Sequence, residues 1–584
     1  MTASNAGDPA MDPGDGRPDV TGPDVRDPET VRLAQSGPSE RPRTGGADRA
    51  GSRARIAAVS DRLMSPMPAD RLWGWVGPLV VTAFAAILRF SRLSVPHAVI
   101  YDETDYIKDA WSILQHGVEW IPVGNPAVYP PGQSYANNLL LSGGTHIFAP
   151  CSGHSCGEAV THPEVGKYLI AIGEWVFGLN PFGYRVASAV FGSLAILLMC
   201  RIARRLTRST LLGCIAGLLL SLDGMEFVLS RTGILDIFLM FFVLAAFGAM
   251  LIDRDVSRSR LAQAVVLRPG DEAGPGLGIR KWRVLAGLLI DLACAVKQDA
   301  VWYIPAFIGL SVAWDISARR AAGLPASRRG GIVRDGKWLA LTLVVIPFVT
   351  YVATWINWMV TQTGYYRDYA RAHGVHTPVV EALYSLFKYH QTTIAFDIHL
   401  RHPHPYMSQP WGWIVLGRPV SFYCTGYANA AGTHPCPATG CPPGPSWSQE
   451  VLPLGNPAIW WVSIPAMLFC LGWWLTRRDW RVGASLLCII AGWLPWFLFL
   501  ERTPQFDYYS LEFLPFLVLC ITLCLGLIIG PARASPRRRA IGSAIAGTYV
   551  LAVLMLFWYF YPILAGQIVP YSSWFARMWY QGWI

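Results

Sequence analysis

Residues 72–106 read LWGWVGPLVVTAFAAILRFSRLSVPHAVIYDETDY. The run Leu72–Leu88 carries no charge, and at ~1.5 Å per helical residue it nearly covers the ~30 Å of a bilayer's hydrocarbon core. About a dozen residues beyond it stand three carboxylates in four positions, Asp102, Glu103 and Asp105, inside the hexad Tyr101–Tyr106. Such a cluster at the wet edge of a membrane is either a solvated acidic turn or the place where a membrane enzyme holds a base beside lipid headgroups. The rest of the chain decides between them.

Outward from that stretch, the chain of 584 residues is 53% hydrophobic and 15% charged. Its apolar residues recur in blocks of spanning length, near 72–88, 182–203, 211–228, 233–251, 284–297, 300–317, 338–359, 457–476, 483–500, 509–530 and 540–562. The expected fold class is an all-α polytopic membrane protein with about eleven spans. Residues 1–70, rich in Pro, Gly, Asp, Arg and Ser, lack the apolar surface to fold and read as a disordered cytoplasmic tail; 71–584 form the membrane domain. Arginine-rich connections (Arg201, Arg204, Arg205 and Arg208; Arg477, Arg478 and Arg481; Arg533 and Arg537–Arg539) all fall on one side under this count. The positive-inside rule puts them in the cytoplasm, with the N-terminus. Loops 93–180 and 361–455, and the C-terminus, are then extracytoplasmic. The net charge of +10, carried by arginine with only six lysines, is a topology signal, and the short basic loops exclude nucleic acid as a partner. No internal repeat is evident, which weakens a transporter of inverted halves.

Cys151, Cys156, Cys424, Cys436 and Cys441 fall in the outer loops, where Cys151–Cys156 and Cys436–Cys441 are plausible disulfides. Ionisable groups crowd the outer ends of the spans: Asp102, Glu103, Asp105, His162, Lys167, Arg185, Asp223, Glu226, Arg231, Asp236, Lys297, Asp299, Glu501 and Arg502, with Tyr508 and Tyr509. Each costs ~2.5–3.5 kcal/mol at membrane depth, so many at one level imply a polar cavity, although a single pair such as Arg231 with Asp236 is also read as a plain buried ion pair. Carboxylates suit removal of a hydroxyl proton; arginine and lysine suit a phosphate. No metal set is compelling; His399, His402 and His404 read as hydrogen-bonding loop residues. No cofactor is implied.

Several segments carry a resemblance. SVPHAVIYDETDYIKDAWSILQ (94–115), HPEVGKYLIAIGEWVFGLNPFGYR (162–185), LDGMEFVLSRTGILDIFLMFFVLAAF (222–247) and HPYMSQPWGWIVLGRPVSFYC (404–424) resemble, in order, motifs of the protein O-mannosyltransferases. The similarity runs from about 72 to 584. It departs from the family where Glu164 replaces proline, where Gln298 follows Lys297 in place of tryptophan, and where an extra segment of roughly 124–160 enlarges the first outer loop.

The resemblance implies a GT-C glycosyltransferase in the plasma membrane, transferring mannose from a polyprenyl-phosphate-mannose donor to Ser/Thr hydroxyls of exported proteins near the secretion translocon, with inversion. On that reading Asp102 is the general base, and Glu103 orients the acceptor or holds a supporting basic residue. Arg185, Lys297 and Arg502 stabilise the leaving phosphate, while His162, Lys167, Arg231, Asp236 and Tyr509 complete the substrate site. Tyr365, Tyr366, Tyr369, Trp411 and Trp413 form either an interfacial belt or a lid. A transferase of lipid-linked sugar to a glycan or lipid, and a lipid-linked sugar transporter, are the competing readings.

Overall fold

The computed structural model describes residues 45–124, 133–151, 156–268, 270–428 and 446–584. The chain divides into two compact units, 1–51 and 52–584, of which the first contributes only the beginning of a helix, α1 (Gly45–Leu63), to the described residues. That helix lies inside the stretch whose composition reads as an unstructured tail; its second half is rich in Ala and Arg, strong helix formers.

Eight described helices are long and apolar enough to cross a membrane: α2 (Trp73–Phe90), α5 (Pro181–Thr207), α7 (Asp236–Leu267), α9 (Gln298–Ala321), α10 (Ser327–Thr354), α12 (Pro457–Arg477), α13 (Trp480–Phe499) and α15 (Pro536–Leu564). Three shorter helices, α6 (Thr210–Ser221), α8 (Lys281–Cys294) and α14 (Leu514–Ile529), stand where the other three spans are expected. Two of the three are cut short by polar residues. Asp223 ends the run after α6 by capping a separate turn through Met225 and Glu226, and Lys297 follows α8 in extended backbone. The loops 93–180 and 361–455 hold further helices, α3 (Glu103–His116), α4 (Val165–Phe177) and α11 (Pro378–His399). They also supply β1 (Tyr423–Ala428) and β2 (Ser446–Val451), which with β3 (Ile568–Pro570) make an antiparallel sheet in the order β1-β2-β3.

Local signals set the helix ends. Asn180 accepts from the Phe182 and Gly183 amides with Pro181 in the first turn, fixing the start of α5. Ser535 and Asp479 cap α15 and α13 in the same way. The centre of the bundle is α7, whose most apolar window is 78% buried against α5, α8 and α9. Where α8 meets α10, a Cβ on Gly287 would stand 1.9 Å from the Thr342 carbonyl oxygen, so the helices cross at glycine distance.

The alternation of helices puts two chemistries at opposite ends. Asp102 precedes α3, Asp236 opens α7, Lys297 lies between α8 and α9, and Arg502, Tyr508 and Tyr509 lie between α13 and α14. At the other end Arg205 and Arg208 pair with Asp255, Arg280 bridges Asp253 at 2.7 Å and Asp315 at 2.8 Å, and Arg319 holds Asp335 at 2.8 Å.

Candidate active site

Asp102 immediately precedes α3, at its N-cap position, yet its side chain does not cap the helix. It turns away instead and accepts a hydrogen bond from the Tyr508 hydroxyl at 3.2 Å. The preceding Tyr101 is held at φ +46°, an unusual conformation for a non-glycine residue. It is fixed there by a stacked contact with Phe422 at 4.7 Å and by the edges of Phe506 and Tyr508. Burial, then the negative charges of Asp105 and Asp236, push the Asp102 carboxyl up to about 7; Lys297 and the Tyr508 bond oppose them. A carboxylate with that affinity for a proton, at a partly open position, is suited to general-base work.

Facing it, Lys297 donates to Asp236 at 3.0 Å and lies 4.6 Å from the centre of the Tyr509 ring. Tyr509 in turn stacks on Trp496 at 4.8 Å and meets the buried Trp413 edge-on. Arg502 binds Asp397 at 2.6 Å and the Asp397 and Pro504 carbonyls. It also lines a cavity of about 200 Å³ whose walls are mostly apolar, including Ile394, Ile398, Phe499 and Trp496, with Asp299 and Glu512 at its polar side. His162 sits beside Tyr106; burial, then Lys297, Lys167 and Arg502, keep its imidazole well below the ordinary histidine range, hence neutral. One helical turn on from Asp102, a depression of about 240 Å³ is lined by Asp105, Asp109, Glu158 and His162.

Six of the residues picked from sequence thus converge: Asp102, Asp236, Lys297, Arg502, Tyr509 and His162. The other four are engaged elsewhere. Glu103 is fully buried and accepts four bonds, from Arg185 at 2.7 and 2.9 Å, the Gly233 amide at 2.9 Å and the Ile100 amide at 3.0 Å. Arg185, also fully buried, gives its remaining donors to the Leu93, Pro96 and Ala98 carbonyls, so no N–H is left to reach a phosphate. The pair ties the loop carrying Asp102 to α5 and to the residues just before Asp236. Of the two sequence-based roles for Glu103, holding a basic residue is the one its bonds match. Lys167 is enclosed by Glu119 and Glu164. Arg231 does not pair with Asp236: it donates to the Leu88, Ser91 and Arg92 carbonyls and secures the end of α2, while Asp236 has Lys297.

The aromatic run divides as well. Tyr365 and Tyr366 pack with Trp355, Trp358 and Tyr389, with Tyr369 stacked on Tyr366. Trp413 backs Tyr509, and Trp411 stays exposed. Cys151 and Cys156 form a disulfide; Cys436 and Cys441 lie outside the described residues. Among the described residues no three His, Cys, Asp or Glu side chains are placed to hold a metal ion; His399 donates to the Ala395 carbonyl and His404 accepts from the Tyr406 amide. Sequence reasoning missed Asp397, Trp496 and Glu119, partners of residues it chose; Asp397 and Glu119 lie far along the chain from their mates, and Trp496, though near Tyr509 in sequence, reads as one more aromatic of an apolar run.

Comparison with known proteins bears on what this arrangement is. Residues 160–363 match the sequence model of the dolichyl-phosphate-mannose-protein mannosyltransferases, and 382–583 match that of the C-terminal four-span region of protein O-mannosyltransferase. A Mycolicibacterium smegmatis (strain MKD8) protein named polyprenol-phosphate-mannose–protein mannosyltransferase is 36% identical over 529 residues, 88% of this chain and 94% of its own length. One of the same name from Mycobacterium tuberculosis (strain CDC 1551) is 36% identical over 581 residues, 96% and 99% of the two chains. Among solved structures, the Saccharomyces cerevisiae Pmt1-Pmt2 complex bound to the sugar donor matches over 91% of this chain and 94% of the chain compared, with a TM-score of 0.65 at 13% identity, a likeness of fold. That fold is the GT-C glycosyltransferase fold, and by these matches the chain belongs to the dolichyl-phosphate-mannose–protein mannosyltransferase family.

Proposed function

We propose that this protein transfers mannose from polyprenyl-phosphate-mannose to Ser/Thr hydroxyls of exported proteins at the extracytoplasmic membrane face, with Asp102 as the base. The observation that carries the proposal is the Asp102 carboxyl, raised to about 7 and aimed away from its own helix into a site that also holds Lys297 and Arg502. The names of the mycobacterial relatives supply the donor and the protein acceptor.

Asp102 takes the acceptor hydroxyl proton as that oxygen forms a bond to the anomeric carbon. The bond from that carbon to the phosphate oxygen breaks, inverting the centre, and the electron pair leaves with the polyprenyl phosphate. The phosphate gains one negative charge, which Lys297 and Arg502 offset. The Arg502 cavity takes the phosphate and the first part of the prenyl chain. Glu103 and Arg185 act as positioning residues, fixing the spacing of Asp102 and Asp236. Lys167 and Arg231 serve the same scaffold, and His162 and Tyr509 line the site. The crowding of arginines at the opposite end supports a cytoplasmic N-terminus by the positive-inside rule. Exported acceptors would then meet the site as unfolded chains leaving the secretion translocon.

The test is incubation of membranes containing the protein with labelled polyprenyl-phosphate-mannose and either a Ser/Thr-rich peptide or a lipid or glycan acceptor. Label in the peptide is expected. Label only in a lipid or glycan, or movement of intact donor across the membrane without transfer, would overturn the proposal.

A further inference from the structure

The arginine-rich end of the bundle contains a cavity of about 500 Å³, lined among the described residues by seven arginines and two aspartates. Arg254 and Arg258, on α7, are about 95% buried, and the Nε atom of each is buried without an acceptor. The Arg254 guanidinium carbon stands over the Trp480 ring, 3.5 Å from its centre, a contact that holds the cation at the chamber wall. Arg258 donates to the Leu63 carbonyl at 2.7 Å and to Ser317 at 3.0 Å. Nearby carboxylates fall short of the cations: Asp255 is shared by Arg205, Arg208 and Arg254, and Asp479 is paired with Arg481. Arg258, Arg477 and Arg478 have no ion-pair partner among the described residues. Planar, partly dehydrated guanidiniums converging in a cavity suit a phosphate, which accepts their paired N–H groups.

A second cavity, of about 740 Å³, shares Arg208 and Arg481 with the first and continues from it along Leu211, Leu523, Leu527 and Ile529. Leu211 and Leu527 are exposed there, on helices that read as lying in the bilayer. The cationic chamber therefore opens onto a groove with a largely apolar wall, which Arg538 and Arg539 also line. It is not the donor site: Arg254 is eighteen residues along α7 from Asp236, about 27 Å at 1.5 Å per residue.

We propose that this end of the protein binds an anionic glycerophospholipid, its phosphate among Arg208, Arg254, Arg258 and Arg481 and its acyl chains along the groove of Leu211, Leu523 and Leu527. A soluble phosphate would use the chamber and leave the groove idle. A zwitterionic lipid would use the groove and gain little from the net positive charge.

The test uses the full-length protein purified in neutral detergent, its thermal unfolding followed while dioleoyl-phosphatidylglycerol, dioleoyl-phosphatidylcholine or inorganic phosphate is added. Phosphatidylglycerol is expected to raise the unfolding temperature at a concentration at least fivefold below that needed of phosphatidylcholine, and inorganic phosphate is expected not to reproduce the shift. Each arginine beside an anionic headgroup weighs about fivefold in affinity, so R208Q/R481Q is expected to raise the half-saturating phosphatidylglycerol concentration about 25-fold. Should that variant not fold, Leu527→Trp, which fills the groove and leaves every arginine in place, is expected to weaken the phosphatidylglycerol response on its own. Equal responses to the two lipids, a full shift with inorganic phosphate, or a phosphatidylglycerol response untouched by the variants that fold would each overturn the proposal.

Discussion

Tyr508→Phe removes one atom from the site and leaves its packing intact, because the ring is held edge-on to Tyr101 and Phe422 whether or not it carries a hydroxyl. What is lost is the bond to the Asp102 carboxylate at 3.2 Å. A hydrogen bond to a charged group contributes ~1.5–3 kcal/mol, and at this length the lower end applies, close to the 1.36 kcal/mol that corresponds to one pKa unit. The bond favours the ionised carboxylate, so its removal raises the pKa, from about 7 to about one unit higher. The base works only when deprotonated, so transfer rises with pH through that value. In the variant, kcat/KM at pH 6.5 is expected to fall about eightfold, while at pH 9 it changes by about a tenth, since both carboxyls are then ionised. The assay is initial-rate transfer of labelled mannose to a Ser/Thr peptide between pH 5.5 and 9.5. A midpoint that does not move, or an equal loss at every pH, would refute the reasoning.

Glu103→Gln should act on stability: it breaks a fully buried pair with Arg185 and is expected to cost ~3–5 kcal/mol, seen as a lower unfolding temperature. A normal unfolding temperature with lost transfer would instead place Glu103 in the chemistry. Lys297→Met leaves Asp236, 3% exposed, without its partner and should both destabilise the protein and weaken donor binding; adding Asp236→Asn should restore the unfolding temperature but not the KM for donor. Glu164 is held well above the ordinary carboxylate range by burial, then by Glu119, so the fold favours its protonated form. Its contribution is full at low pH and is lost as pH rises beyond the unfolded value. Glu164→Gln is therefore expected to raise the unfolding temperature above neutral pH more than at pH 5.

Hydropathy made legible the eight described helices that are long and apolar enough to span, because a bilayer imposes length and apolarity on each span independently of the others. Three helices are shorter than expected, two of them because polar residues interrupt the apolar runs; these breaks, at Asp223 and Lys297, sit at the end of the bundle that holds the site. The ionisable residues at that end were legible as a set for the same reason: charge at membrane depth is costly and so conspicuous. Their pairing was not. Arg185 and Lys297 look alike as candidates for a phosphate, and only the folded chain shows that Arg185 is enclosed by Glu103 and three carbonyls while Lys297 faces Asp236 and Tyr509. Arg231 and Asp236, five residues apart, looked like mates, but the turn before α7 sends one to the end of α2 and the other to Lys297. The helix Gly45–Leu63 escaped a composition argument that weighs burial and ignores helix propensity.

In the proposed reaction one carboxylate removes the acceptor proton. Asp102→Asn keeps the shape of the side chain and removes its basicity. With the variant shown to be in the membrane at the normal level and unfolding at the normal temperature, transfer of labelled mannose to peptide should fall by ~10²–10⁴-fold at pH 7.5. Transfer within a few-fold of the unaltered protein would mean that Asp102 is not the base.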